Sequence, residues 1–286
     1  MGALGFDFSI FWEAARGVLA GQSPYATQGF FSPFPFLMPI IPFGLLPYQV
    51  AFALWTLVNL ISLVFLARRR THMALIFLPV FFALWVGQVD LMIIALAFTG
   101  TWWGLALATL KPQLAIWLVP FFVLRWWQQG ERRRILLLCS GVVLLYAGPT
   151  LVMPSWWGSW MESAPSVFVY SEHASSLFGV SALLSGAVPT FVPFVAVAAG
   201  IVVVLIVVRP FTDQTYWNWA AIFNPVANIY SQCILVTQID WIAVGLSWIL
   251  LPLSLYVHTG LPWVLVPAYL LWRASRLHDA DAMQIA

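Results

Sequence analysis

Residues 87–125 read GQVDLMIIALAFTGTWWGLALATLKPQLAIWLVPFFVLR. Three apolar runs, 91–98, 102–110 and 113–124, are separated by Gly100 and by Lys111-Pro112, and a Gly87-Gln88 break precedes them. None reaches the ~20 residues that a ~30 Å hydrocarbon layer requires. Broken helices at membrane depth are tolerated only where protein buries them or where they line a wet cavity. The segment therefore predicts an all-α, polytopic membrane protein, a bundle of spans with short and broken helices around a cavity.

Composition points the same way. Of 286 residues, 62% are hydrophobic and 8% charged, and the mean hydropathy is +0.92. A soluble domain carries about 25% charged residues, so no polar skin can be assembled around an apolar core here. That excludes a soluble globular enzyme, a disordered chain, and a protein that binds nucleic acid through a basic face. Cys139 and Cys233 lie in separate apolar runs without CxxC spacing, and both are expected to be small buried hydrophobes. No HExxH, P-loop or GxGxxG occurs, so neither a metal nor a nucleotide cofactor is expected. A transferase of this make-up needs a donor delivered by the membrane.

The chain is read as one transmembrane domain over 1–286. Residues 1–46 form an extracytoplasmic juxtamembrane and re-entrant region, and 153–179 an extracytoplasmic loop. In FDFSIFWEAARGVLAG (6–21), Ser9, Glu13, Arg16 and Ala20 recur at offsets of one helical stripe. That pattern predicts an amphipathic helix lying on the membrane surface. The proline-rich run 32–47 reads as re-entrant or kinked.

Basic residues set the orientation, because Lys and Arg collect in cytoplasmic loops. A span over 48–67 ends at Arg68–Arg70, and that end is taken as inside. The chain then runs out over 73–86 and in over 91–98. It goes out over 102–110, in over 113–124, and out over 135–152. An inward span covers 188–208. A short arm reaches Asn224-Pro225 and returns to Gln238; an outward span covers 241–257, and an inward arm 261–272. All twelve basic residues except Arg16 and Lys111 then fall on one side.

Few polar residues are available for chemistry, and each is costly in such a setting. Asp7 is either the N-cap of the amphipathic helix or a general base held at the membrane surface. Lys111, before a proline at a helix break, is read as a phosphate counter-charge over snorkelling or capping. Asp90 is equally a helix cap or a ligand. Glu172 and His173 lie in YSEHASSLFG (170–179), where a lone histidine is most often simply solvated. Glu162 with Trp156, Trp157 and Trp160 reads as an interfacial belt, and Asp240 as structural.

DFSIFWEAARGVLAGQSPY (7–25), FFSPFPFLMPIIPFGLLP (30–47), GQVDLMIIAL (87–96) and LATLKPQLAIWLVPFFVLR (107–125) together resemble glycosyltransferase family 87. This is a multi-span family of the C-type superfamily that includes polyprenol-phosphate-mannose-dependent α-1,2-mannosyltransferases. The order of Asp, GxxPY, proline-rich run, GQ and KPQ matches over roughly the first 130 residues; FNPVANIYSQ (223–232) matches loosely. The resemblance implies a polyprenyl-phosphate sugar donor, mannose first, and a lipid or glycolipid acceptor. It implies chemistry on the outer face of a bacterial plasma membrane. Asp7 would hold the family's catalytic acidic position, with His173 in its later polar loop. Lys111, Gln88, Gln113, Tyr25 and Glu172 are the expected substrate-binding residues.

Family members generally carry a span before the acidic motif and run several spans longer. The alternative expectation is therefore a non-catalytic structural subunit whose fold is completed by partner membrane chains. A transporter ranks below both, because the acidic residue lies on a surface helix and the halves show no inverted similarity. For a transferase the chemistry is self-consistent. A sugar on polyprenyl phosphate already has a good leaving group, so inversion needs one base, Asp7, and one cation, Lys111. The aromatic segment 30–43 is expected to contribute to the groove for the polyprenyl tail.

Overall fold

The computed structural model describes residues 3–163, 175, 213–224, 228–257 and 259–285. These residues are helical with no strand: the chain is a helical membrane protein. It divides into two compact units, Met1–Arg68 with Phe82–Phe168, and Arg69–Phe81 with Val169–Ala286.

The first unit opens on α1 (Phe6–Leu19), which buries Phe8, Phe11, Ala14 and Ala15 and exposes Glu13, Arg16 and Ala20. The polar stripe read from the sequence is thus its outer face. Gly5, at φ +72°, occupies the N-cap position. Asp7 lies in the first turn and does not cap, correcting one of its two sequence readings. The proline-rich run folds as α2 (Phe34–Leu37) and a 3₁₀ turn, Ile41–Leu45, both packed on α1.

The next helix, α3 (Tyr48–Ala67), has the bounds that the sequence predicts. It buries Ala51, Trp55, Asn59, Leu63 and Leu66 along one face. Leu57, Ile61 and Val64 stay exposed on the other, as a lipid-facing surface does. The expected 73–86 arm is two helices, α4 (Thr71–Ile76) and α5 (Leu78–Val86), with Phe77 extended between them. Pro79 explains the break: it fits the first turn of a new helix, but inside a continuous one its ring would strike the carbonyl four residues back.

After the Gly87-Gln88 break come α6 (Asp90–Phe98), α7 (Trp102–Ala108), α8 (Pro112–Gln128), α9 (Arg132–Ala147) and α10 (Trp156–Ser163). The packing of α7 on α6, α8 and α9 forms the core of this unit. Both α8 and α9 extend beyond the expected apolar runs, so Arg125 and Arg132, Arg133 and Arg134 are helical. Cys139 on α9 is exposed, contrary to expectation, and Cys233 is buried. α9 is an outer helix, and its Leu136, Val143 and Leu144 are exposed as well. Trp156 is fully buried and stacks on Trp157 at 4.1 Å. It belongs to the core, and only Trp157 of that pair is open.

Among the described residues two stretches, Tyr48–Ile76 and Arg132–Leu151, are long and apolar enough to cross a membrane. A third candidate is the pair α5 and α6, bent by 114° at the Gly87-Gln88 break.

The second unit contains α4, α11 (Asp213–Phe223), a 3₁₀ segment Ile229–Thr237, α12 (Trp241–Tyr256), and α13 (Leu265–Ile285) behind a 3₁₀ turn, Leu261–Val264. Asp240 caps α12 by accepting from the Ala243 amide at 2.8 Å, and it pairs with Arg273. It is structural, as the sequence suggests. Asn218 and Gln238 are buried and joined by their amides, Gln238 Nε2 donating to Asn218 Oδ1 at 2.9 Å. The expected arm 261–272 does not stop there, since α13 carries Arg273 and Arg276 within it. The expected span 188–208 lies outside the described residues.

Candidate active site

Gly87 makes the site possible. At φ +78° it turns the chain out of α5, and a Cβ there would sit 2.6 Å from the Phe8 Cβ. Only glycine lets α1 lie this close to the break. Hydrogen bonds to the main chain fix the contact: the Gly5 amide donates to the Trp85 carbonyl at 2.8 Å, and from α3 the Trp55 side chain donates through Nε1 to the Gly87 carbonyl at 2.8 Å. Tyr48 Oη donates to the Gly5 carbonyl at 3.0 Å. Phe8 fills the seam, its ring 5.2–6.4 Å from those of Phe43, Tyr48, Phe52 and Trp55.

This seam sets Asp7 over the break, where Gln88 Nε2 donates to Asp7 Oδ2 at 2.6 Å. The other end of the same amide, Gln88 Oε1, accepts from Lys111 Nζ at 2.9 Å. Lys111 Nζ also forms an ion pair with Asp90 Oδ2. The result is a continuous chain of side chains, Asp7–Gln88–Lys111–Asp90. Three of them are buried, Asp90 to 0% and Lys111 to 7% exposure, while Asp7 is half-buried.

Local structure explains each position. Asp7 and Asp90 lie in the first turns of α1 and α6, where the helix dipole favours an anion. Lys111 precedes Pro112 in a non-helical conformation, φ −117° and ψ 86°, in keeping with the bias of a pre-proline residue away from the helical region. Its ammonium stands at the positive end of α8, an unfavourable place that Asp90 offsets. Burial pushes the Asp7 carboxyl above its ordinary value of 3.8. The Gln88 hydrogen bond and the Lys111 charge oppose that rise, and the Asp90 charge adds to it. Among the described residues, the Gln88 contact is the one side-chain hydrogen bond of Asp7, leaving Oδ1 open to accept.

Of the residues singled out from the sequence, Asp7, Gln88 and Lys111 are thus joined. Lys111 neither snorkels nor stands free. Tyr25 lies on a 3₁₀ turn, Pro24–Ala26, that packs on α1, with its hydroxyl buried beside the Phe34 main chain. Gln113 is half-buried in the first turn of α8. Among the described residues no hydrogen bond ties Tyr25 or Gln113 to the chain of four. Glu172 and His173 lie outside the described residues. Asp90 is the member whose role the sequence leaves undecided. Its side chain does not cap α6, and the signal for its role is the Gln88–Asp90 spacing opposite a buried cation.

Short apolar helices around a largely buried chain of acid, amide, ammonium and acid define an integral membrane protein with a polar cluster in its first unit. The family model described as glycosyltransferase family 87 matches residues 30–230, more than half of the sequence. The chain belongs to glycosyltransferase family 87, and so to the membrane glycosyltransferases. Gln88, Lys111, Gln113, Glu172 and His173 fall within the matched stretch, while Asp7 and Tyr25 precede it. No curated protein and no solved structure matches the chain.

Proposed function

We propose that the chain moves a hexose, mannose first, from a polyprenyl-phosphate donor to a lipid or glycolipid acceptor on the outer face of a bacterial plasma membrane. The supporting observation is the open Oδ1 of Asp7, a half-buried carboxylate whose other oxygen is pinned by Gln88. Asp7 Oδ1 takes the proton of the acceptor hydroxyl as that oxygen bonds to the anomeric carbon. The bond from the anomeric carbon to the phosphate oxygen breaks, its electron pair leaves with polyprenyl phosphate, and configuration inverts. Lys111, the cation whose charge reaches Asp7, is the counter-charge for the departing phosphate. Within this reading Gln88, Tyr25, Gln113 and Glu172 bind substrate, and His173 keeps the catalytic place that the resemblance gave it.

The test is transfer by the purified chain in liposomes supplied with radiolabelled polyprenyl-phosphate mannose and a membrane lipid extract. Label passing into an acceptor lipid, and lost in Asp7→Asn, supports the reading. An inactive wild-type chain, or an active Asn variant, overturns it.

A further inference from the structure

Lysine has hydrogen-bond donors and no acceptor. Beside Lys111 Nζ, therefore, Gln88 must present Oε1, and its N–H end must point the other way, to Asp7. Ionised Asp7 likewise only accepts, so the ammonium and the carboxylate fix the amide from its two ends, and displacing the ammonium removes one of those two restraints. The ammonium is held in place by Asp90, 21 residues earlier in the chain.

We infer that Asp90 is a positioning residue for Asp7, clamping Lys111 so that Gln88 keeps its donor end on the catalytic carboxylate. This rests on the function proposed above for Asp7. A second observation separates the role from simple packing: Asp90 Oδ1 is buried with no hydrogen-bond partner. A buried oxygen left unsatisfied is costly. A carboxylate kept for helix capping or core structure would have both oxygens engaged, and Asp90 spends only the one that faces Lys111.

The groups bearing on Asp7 are few. Gln88, Lys111 and Asp90 face it from the break, α6 and α8. The elements packed on α1, namely α2, α3 and the turns Pro24–Ala26 and Ile41–Leu45, bring two titratable side chains, Tyr25 and Tyr48. Glu13 and Arg16 lie further along α1 itself.

The experiment is an infrared titration of the protonated carboxyl stretch of the full chain in lipid nanodiscs, without substrate. The Asp7 band is assigned by its loss in Asp7→Asn. Asp90→Asn keeps an acceptor for Lys111 and removes a negative charge, so the Asp7 midpoint falls. Asp90→Leu has similar size and no acceptor; the Asp90 restraint on Lys111 is lost, the Gln88 amide is held less firmly, and the midpoint lies above that of the Asn variant. Lys111→Met raises the midpoint above wild type. A merely structural Asp90 would give the same midpoint in its two uncharged variants, and that result overturns the inference. Should Asp90→Leu fail to fold, Asp90→Ala takes its place: its midpoint lies above that of Asp90→Asn, and an equal one overturns the inference. These readouts need no turnover, so they stand apart from any failure of the sugar-transfer assay.

Discussion

Gln88 Nε2 donates to Asp7 Oδ2 at 2.6 Å across 81 residues of sequence. The bond crosses from the polypeptide break after α5 to the first turn of the surface helix α1. It therefore couples a half-buried carboxylate to a buried amide within the first unit, and several measurable outcomes depend on it.

Asp7→Asn lowers sugar transfer by about 10²–10⁴-fold, the usual cost of removing a general base. The amide keeps the size of the carboxylate and can still accept from Gln88 Nε2, so the fold and donor binding persist. Initial rates and donor binding on the same preparation check this. Full activity in the variant disposes of the base assignment.

Activity falls on the acid side as Asp7 takes up a proton, since only the carboxylate can act as base. Burial raises the Asp7 pKa, so the acid limb lies above the ordinary carboxylate value and activity is retained only at higher pH. Gln88→Leu removes a hydrogen bond that favours the charged form and moves the limb further up. A rate–pH profile with its limb at or below the ordinary value contradicts this.

Lys111→Ala or Asp90→Ala alone destabilises the first unit by about 3–5 kcal/mol, because each breaks a buried ion pair by removing one partner. Replacing both, as Asp90→Leu/Lys111→Met, recovers most of that loss. Asp240 and Arg273 form a partly exposed pair, and severing it costs less. Thermal unfolding in lipid of the single and double variants gives the ranking.

Gly87→Ala combines about 1–3 kcal/mol of backbone strain at positive φ with a clash against Phe8 at 2.6 Å. Gly21, at φ +76°, has nothing within 4 Å of the place a Cβ would take, so Gly21→Ala reports the strain alone. The difference between the two melting temperatures isolates the seam. Equal losses would show that α1 tolerates displacement from the break.

Orientation is tested with single cysteines in a Cys139→Ser/Cys233→Ser background. Arg69→Cys is expected to react with an impermeant maleimide only from the cytoplasmic side, and Asp7→Cys only from outside. Labelling of position 69 in intact cells reverses the topology drawn from the basic residues.

The bounds of α3 are legible in the sequence because Pro47 and the arginine cluster both punctuate the same apolar run. The stripe of α1 is legible for a related reason: periodicity is local. Local signals also reveal the breaks at Gly87-Gln88 and Lys111-Pro112. They do not reveal Asp90, because a carboxylate opening a helix looks the same whether it caps that helix or meets a lysine 21 residues on. The cap of α1 is hidden in the same way. Gly5 offers no side chain to recognise, and its role comes from a left-handed turn and a bond to Trp85. The Phe77 break has its signal in Pro79, but a proline there fits a kinked single arm as well as two helices.

One bond between α1 and the chain leading into the break joins two peptide groups, the Gly5 amide and the Trp85 carbonyl. An alanine scan of that contact is consequently blind at Trp85, where the carbonyl survives any substitution. Amide-to-ester replacement at residue 5, or hydrogen–deuterium exchange of the Gly5 amide, reads the docking directly. Slow exchange at that amide would report how long α1 stays closed over the buried polar chain.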